Sequence, residues 1–160
     1  MKIKLTPELS YIIGLWRGRK AKEGIGVFGS DDVIQVFSME VIKQGLTPPN
    51  KLQMRDERAF FYHSKLRLFF QEIAKERLER YKYENKFSAS YLAGRFDSTG
   101  GYNNDNKSIY LAQSDKVDEM VILRLGFKAK LVGKKIIIID KEKFLDYIKH
   151  FRKIKLREEQ

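Results

Sequence analysis

Apolar positions along this chain fall into short runs, some at helical spacing and some alternating, separated by glycine, proline and small polar residues. Thr6-Pro7-Glu8 reads as a helix start, with Thr6 as cap and Pro7 in the first turn. Leu9, Ile12, Ile13 and Trp16 come next at helical spacing, up to a basic run from Arg17 to Lys22. Gly24 to Gly29 is a short apolar strand with glycine at both ends. Ser30 caps a helix carrying Val33, Ile34, Val36, Phe37, Met39, Val41 and Ile42, with Asp31 and Asp32 in its first turn and Gly45 as its stop. Pro48-Pro49-Asn50 predicts a turn. Lys51 to Arg55 alternates as a half-buried strand does, Asp56-Glu57 turns the chain, and Arg58 to His63 is an aromatic strand. Ser64 then caps one long helix through Leu66, Phe69, Phe70, Ile73, Ala74 and Leu78.

The polar segment Tyr81 to Phe87 has no Gly, Pro or Ser-rich stretch, so it predicts a tight join between two halves of the chain. Beyond it the order repeats. A helix over Ser88 to Asp97 is broken by Gly100-Gly101. Strands at Gly101–Asn103 and Ser108–Gln113 are turned by Asn104-Asp105-Asn106. Ser114-Asp115 caps a helix ending at Gly126, Phe127–Val132 and Lys134–Ile139 form a hairpin about Gly133, and Asp140 caps a last helix through Phe144, Tyr147, Ile148 and Phe151. The tail from Arg152 to Gln160 is charged and predicted to fray. The second half therefore reads α-β-β-α-β-β-α, and the first reads the same with its first hairpin shortened.

The repeat is visible in residues as well as in element order. Ser10-Tyr11 leads into Ile12-Ile13-Gly14-Leu15-Trp16-Arg17-Gly18-Arg19-Lys20, and Ser90-Tyr91 leads into Leu92-Ala93-Gly94-Arg95-Phe96-Asp97-Ser98-Thr99-Gly100. Helix glycines Gly14 and Gly94, cap serines Ser30 and Ser114, and post-helix glycines Gly45 and Gly126 recur in the same order. An internal repeat makes the chain two related halves, 1–82 and 83–160, packed as one unit. Glycine inside a helix costs roughly 1 kcal/mol relative to alanine. Small residues at matching places, Gly14 and Gly18 against Ala93 and Gly94, predict instead that the two helices touch backbone to backbone and join the halves.

The second copy resembles the signature helix of the LAGLIDADG homing endonucleases at Leu92, Ala93, Gly94, Phe96, Asp97 and Gly100; the first resembles it at Gly14, Leu15 and its apolar positions. The resemblance implies an α+β protein of two pseudosymmetric repeats forming a saddle, with the two signature helices at the interface and two sheets facing the major groove of DNA. It also implies a divalent-metal nuclease in which each signature helix delivers one acid. That position is Thr99 in one copy and Arg19 in the other. Divalent Mg²⁺ needs hard oxygen ligands, a hydroxyl is a weak substitute for a carboxylate, and a guanidinium repels the cation. Arg19 is suited instead to pair with a phosphate. Glu23, Asp97 and Asp105 are the nearby acids that could restore chemistry, although Asp97 lies two positions before the expected ligand and on another side of the helix.

Charge then decides the class of partner. The chain carries 32 Lys and Arg against 21 Asp and Glu, a net charge of +11, with 42% hydrophobic and 33% charged residues. That supports a packed core and a polyanionic partner. A thermophile surface explains many charges but not their imbalance. With no Cys and two His, thiolate chemistry and a His-rich zinc site are excluded. The N-terminus is expected to be too short and too charged for a signal peptide, and no apolar run exceeds the strand-sized four residues of Ile136 to Ile139. The expectation is a soluble, cytoplasmic monomer with an internal pseudo-two-fold axis and no membrane contact.

Candidate contacts come from strand alternation. Lys51, Gln53 and Arg55 share one face, with Leu52 and Met54 on the other; Lys128 and Lys130 share a face opposite Phe127, Ala129 and Leu131; Lys107 and Gln113 share a face with Ile109 and Leu111; Lys135 lies on the last strand. With Arg17, Arg19, Lys20 and Lys22 these are the expected nucleic-acid contacts, Lys and Arg to guanine or phosphate and Gln to adenine. Phe60, Phe61 and Tyr62 are core or base-stacking residues. Lys149, Arg152, Lys153, Lys155 and Arg157 are a candidate basic arm. The reading is a nucleic-acid-binding protein, duplex DNA favoured over RNA, that does not cleave and uses no cofactor. An RNA-binding maturase-like protein and a Mg²⁺-dependent endonuclease with relocated ligands are the alternatives, and a protein-interaction module is a fourth reading.

Overall fold

The computed structural model describes residues 2–105 and 107–154. Helix α1 (Pro7–Gly18) starts where the sequence predicts, the Thr6 hydroxyl accepting from the N–H of Leu9. Strand β1 (Ile25–Phe28) and helix α2 (Asp31–Lys43, capped by Ser30) come next, then a 3₁₀ turn at Pro49–Lys51, β2 (Gln53–Arg55) and β3 (Arg58–Phe61). Asp56 and Glu57 both take left-handed conformations, φ 51° and 60°, which close the β2–β3 hairpin with a two-residue turn.

The long helix expected from Ser64 to Leu78 is two helices, α3 (Ser64–Lys75) and α4 (Arg77–Tyr81). Its cap is His63, whose Nδ1 accepts from Leu66 N–H, rather than Ser64. The break at Glu76 accompanies a tertiary pairing. The Arg77 guanidinium is held by Asp115 and Asp118 of the other half and by the carbonyl of Ala74. The apolar periodicity runs through both helices and could not register that pairing.

The link shrinks to residues 82–85, because α4 ends at Tyr81 and α5 (Lys86–Thr99) begins earlier than expected, on an Asn85–Ser88 capping box. Then come β4 (Gly100–Tyr102), β5 (Ile109–Leu111), α6 (Lys116–Arg124), β6 (Ala129–Val132), β7 (Lys135–Ile138) and α7 (Lys141–Ile148). Two further caps differ from expectation. Asp115, not Ser114, caps α6. The Asp140 carboxylate accepts from Lys128 N–H and makes no bond to its own helix. The predicted turn at Asn104-Asp105-Asn106 includes one residue outside the described set, and the tail from Lys155 lies outside it too.

All strand pairs are antiparallel, in a three-stranded sheet ordered β1-β3-β2 and a four-stranded sheet ordered β4-β5-β7-β6. The shortened first hairpin is real. Where the second half has β4, the first has one bridge from Lys20 to Val27, flanked by the bonds Ala21 N–H to Gly26 O and Phe28 N–H to Arg19 O.

Helices α1 and α5 pack against each other and are buried around most of their surface. A Cβ on Gly14 would run into the backbone of Tyr91 and Arg95; a Cβ on Gly94 would run into the backbone of Tyr11 and Leu15. These contacts are reciprocal, as a two-fold relation between the helices requires. Gly18 is closed off by Ser98, and Ala93 is fully buried. Trp16 of α1 packs edge-on against Phe70 of α3, and Phe96 of α5 packs against Phe144 of α7. Each interface helix thus anchors the outer helix of its own half by the residue two places after its glycine.

Candidate nucleic-acid interface

The two helix ends come first, because they hold the positions where the resemblance expects acids. Arg19 ends α1; its Nε donates to the carbonyl of Ser98 at 3.1 Å, and its guanidinium lies 5.7 Å from the centre of the Phe28 ring. Thr99 ends α5 and is buried. Its hydroxyl donates to the carbonyl of Arg95 and accepts from the Arg95 guanidinium at 3.0 Å. Arg95 is fully buried, and burial pushes its pKa down; its other bonds reach the carbonyls of Ala112 and Gln113 and the hydroxyl of Ser114. A guanidinium thus stands at both helix ends, one partly exposed and one buried. Sequence reasoning missed Arg95, although an arginine amid Leu92, Ala93, Gly94 and Phe96 is the visible signal.

A divalent cation does not fit these ends. The donors present are a hydroxyl already engaged twice and two cationic side chains, where carboxylate oxygens are needed. Among the described residues, no group of three or more His, Asp or Glu is placed to hold a metal.

The expected substitute acids are occupied elsewhere. Asp97 is buried between the helices and the C-terminal segment. It accepts from Tyr11 Oη at 2.6 Å, Lys153 N–H at 2.7 Å, Ile154 N–H at 3.2 Å and Arg152 Nε at 3.1 Å. Burial raises its pKa, and these donors oppose the rise. Glu23 pairs with Arg58 at 2.6 Å, and Asp105 accepts from Lys107 N–H in an exposed loop.

Several of the expected basic residues belong to the interior or are paired. Arg17 is only 17% exposed at its side chain and pairs with Asp118 at 3.1 Å, beside the Arg77 cluster. Arg152 and Lys153 fold back onto Asp97, and Lys153 approaches Glu40 as well. Lys149 pairs with Asp146. Lys155 and Arg157 lie outside the described residues. Lys20 is exposed with its ammonium 4.2 Å from the Trp16 ring centre; partial burial, then Arg17, lowers its pKa. Lys22 is exposed near it.

The sheets sort the remainder by face. Ile25, Val27, Ala59 and Phe61 point into the core, so Gly26, Phe28, Arg58 and Phe60 point away from it. Register places Gln53 opposite Phe60 and Arg55 opposite Arg58, so both are on that open face. Lys51 falls in the 3₁₀ turn rather than on the strand, and Met54, on the core-facing side of this edge strand, remains 59% exposed. Phe60 and Phe61 are buried and Tyr62 is exposed, so the aromatic cluster divides. Phe60 has zero exposure although it lies on the open face, where Arg55 and Tyr62 lie against it.

In the second sheet Ile109, Leu111, Ile136 and Ile138 form the core side. Lys130, Ile137 and Tyr110 form a row across the open face, and Lys135 sits opposite Val132 with its ammonium 4.5 Å from the Tyr110 ring centre. Lys128 lies opposite Ile139 at the end of the ladder. The expected grouping of Lys107 and Gln113 with Ile109 and Leu111 does not hold, because β5 is cut to three residues. Lys107 lies in the preceding loop, and Gln113 lies past the strand in a left-handed conformation, φ 55°.

Comparison by sequence alone matches no family model and no curated protein. Comparison of structures does find matches. A structure from the work on mesophilic variants of the homing endonuclease I-DmoI aligns at TM-score 0.65 and 15% identity, over 89% of this chain and 94% of that one. I-DmoI in complex with DNA and Mn aligns at TM-score 0.61 and 12% identity, over 94% and 98%. I-DmoI in complex with DNA and Ca aligns at TM-score 0.60 and 14% identity, over 91% and 88%. Element order, the reciprocal glycine contact and these alignments over both chains give one conclusion: this chain has the LAGLIDADG homing-endonuclease fold.

Proposed function

We propose that this protein binds duplex DNA across the open faces of its two sheets and does not hydrolyse it by a metal route. The observation that carries the reading is the chemistry at the helix ends. Arg19 and Arg95 place fixed positive charge where metal-assisted hydrolysis needs carboxylates, and Thr99 is consumed by Arg95. Of the two, the partly exposed Arg19 is suited to attract a phosphate, and neither activates water. The net charge of +11 and the bases on the open faces, Arg55, Lys128, Lys130 and Lys135, support the same polyanionic partner. I-DmoI, which shares the fold, is known in complex with its target DNA, and that likeness supports a duplex as the ligand.

The test is one titration read twice. Labelled duplex DNA and structured RNA are incubated with the protein across a salt series, with and without Mg²⁺, and both binding and strand integrity are scored. Steeply salt-dependent binding to intact duplex in both metal conditions is the expected result. Metal-dependent cutting would return the protein to the nucleases. A clear preference for structured RNA would favour a maturase-like role, and absence of salt-dependent binding to either would leave a protein-interaction module.

A further inference from the structure

The open faces of the two sheets differ in chemistry. On the first, the polar side chains are Gln53, Arg55 and Arg58, the last paired with Glu23 and Asp56. On the second, the middle is apolar. Ile137 lies between Tyr110 and Lys130 across the sheet and between Lys135 and Ile139 along its own strand. Ile139 is 61% exposed and Val132 is 57% exposed. Other exposed large aliphatic side chains are dispersed: Met39, Leu68 and Leu123 sit on separate helices, and Met54 sits alone on the edge strand of the first sheet. Here they share one sheet face, and lysines 128, 130 and 135 edge it.

An apolar patch edged by lysines suits a surface that is apolar in the middle and anionic at its sides. A thymine-rich major groove is such a surface, since each thymine presents a C5 methyl group between two phosphate strands. Resting on the DNA reading above, we propose that the second sheet selects thymine-rich sequence through methyl contacts to Ile137, Val132 and Ile139, with Lys128, Lys130 and Lys135 on the flanking phosphates. The first sheet, through Arg55 and Gln53, specifies guanine and adenine by hydrogen bonds. The target is therefore asymmetric: one arm is read by donors and acceptors, the other by methyl groups.

The experiment uses the full chain. A bound duplex is selected from a random library at fixed salt, and thymines in each arm are then replaced singly by deoxyuridine, which removes only the methyl. The expected loss is about fourfold in affinity per contacted thymine, the worth of one buried methyl, confined to one arm. In the Ile137→Ala variant the thymine–uracil difference at the contacted position disappears while binding to bulk duplex persists. Equal binding of thymine and uracil duplexes at every position overturns this inference and leaves the DNA reading intact. Absence of salt-dependent binding to any duplex overturns both.

Discussion

The phenol of Tyr11 in the first half donates to the carboxylate of Asp97 in the second at 2.6 Å, and both residues are buried. The matching pair in the repeat is Tyr91 and Arg17, because Arg17 stands where the other copy has Asp97. There the sign is inverted. Arg17 pairs across the halves with Asp118, and Arg77 joins Asp118 and Asp115 to it. The interface helices are therefore flanked by two charge clusters, one centred on a buried acid and the other on two bases.

Asp97→Ala is expected to cost about 3 kcal/mol of stability, because it strips the N–H groups of Lys153 and Ile154 and the Arg152 guanidinium of an acceptor. Tyr11→Phe, which removes one of several donors, should cost about 1 kcal/mol. Urea denaturation of both variants checks the ranking. A small loss for Asp97→Ala would mean that this carboxylate is not the anchor of the C-terminal segment.

Gly14→Ala should destabilise the protein by more than about 3 kcal/mol, since the added Cβ meets the backbone carbonyl of Tyr91, which cannot swing away as a side chain can. Gly45→Ala is the control. Nothing lies within 4 Å of its added Cβ, and its φ of 71° should make the cost about 1 kcal/mol. Thermal melts of the two variants, compared directly, test whether helix contact or backbone conformation dominates.

Acid should weaken the α6 cluster in a defined window. Burial alone would raise the pKa of Asp115, but the N–H of Asp118 and the Arg77 guanidinium outweigh it and hold the carboxyl down to about 2. A depressed carboxyl pKa stabilises the fold above its unfolded value of 3.8 and loses that contribution as pH falls toward 2. The side chain is 56% exposed, so solvent screening reduces the contribution to about 1 kcal/mol. Asp115→Asn keeps a helix cap, so its stability deficit should be full at pH 5 and shrink toward pH 2 in denaturant titrations.

Salt dependence of DNA binding separates surface bases from interior ones. Lys130→Ala and Lys135→Ala should each lower the slope of log K against log salt by about 1, as loss of one phosphate contact does. Arg17→Ala should leave the slope unchanged and lower stability instead, because its charge is spent on Asp118. A reduced slope for Arg17→Ala would place that residue back on the binding surface.

The order of elements, the helix start at Thr6, the shortened first hairpin and the two interface glycines are all legible in the linear chain. Each depends on caps, alternation and glycine placement, which act over a few residues and repeat between the halves. Which charges reach the surface is settled by long-range packing instead. Arg17, Arg19, Arg152 and Lys153 look alike in a basic sequence, yet Arg17, Arg152 and Lys153 find acids that are remote in sequence or in the other half. Asp97 reads as a spare catalytic acid until the C-terminal segment folds onto it. The split of the long helix at Glu76 and the burial of Arg95 have the same cause. An ion pair or a buried guanidinium takes its stability from partners brought together by folding, and periodicity carries no record of them.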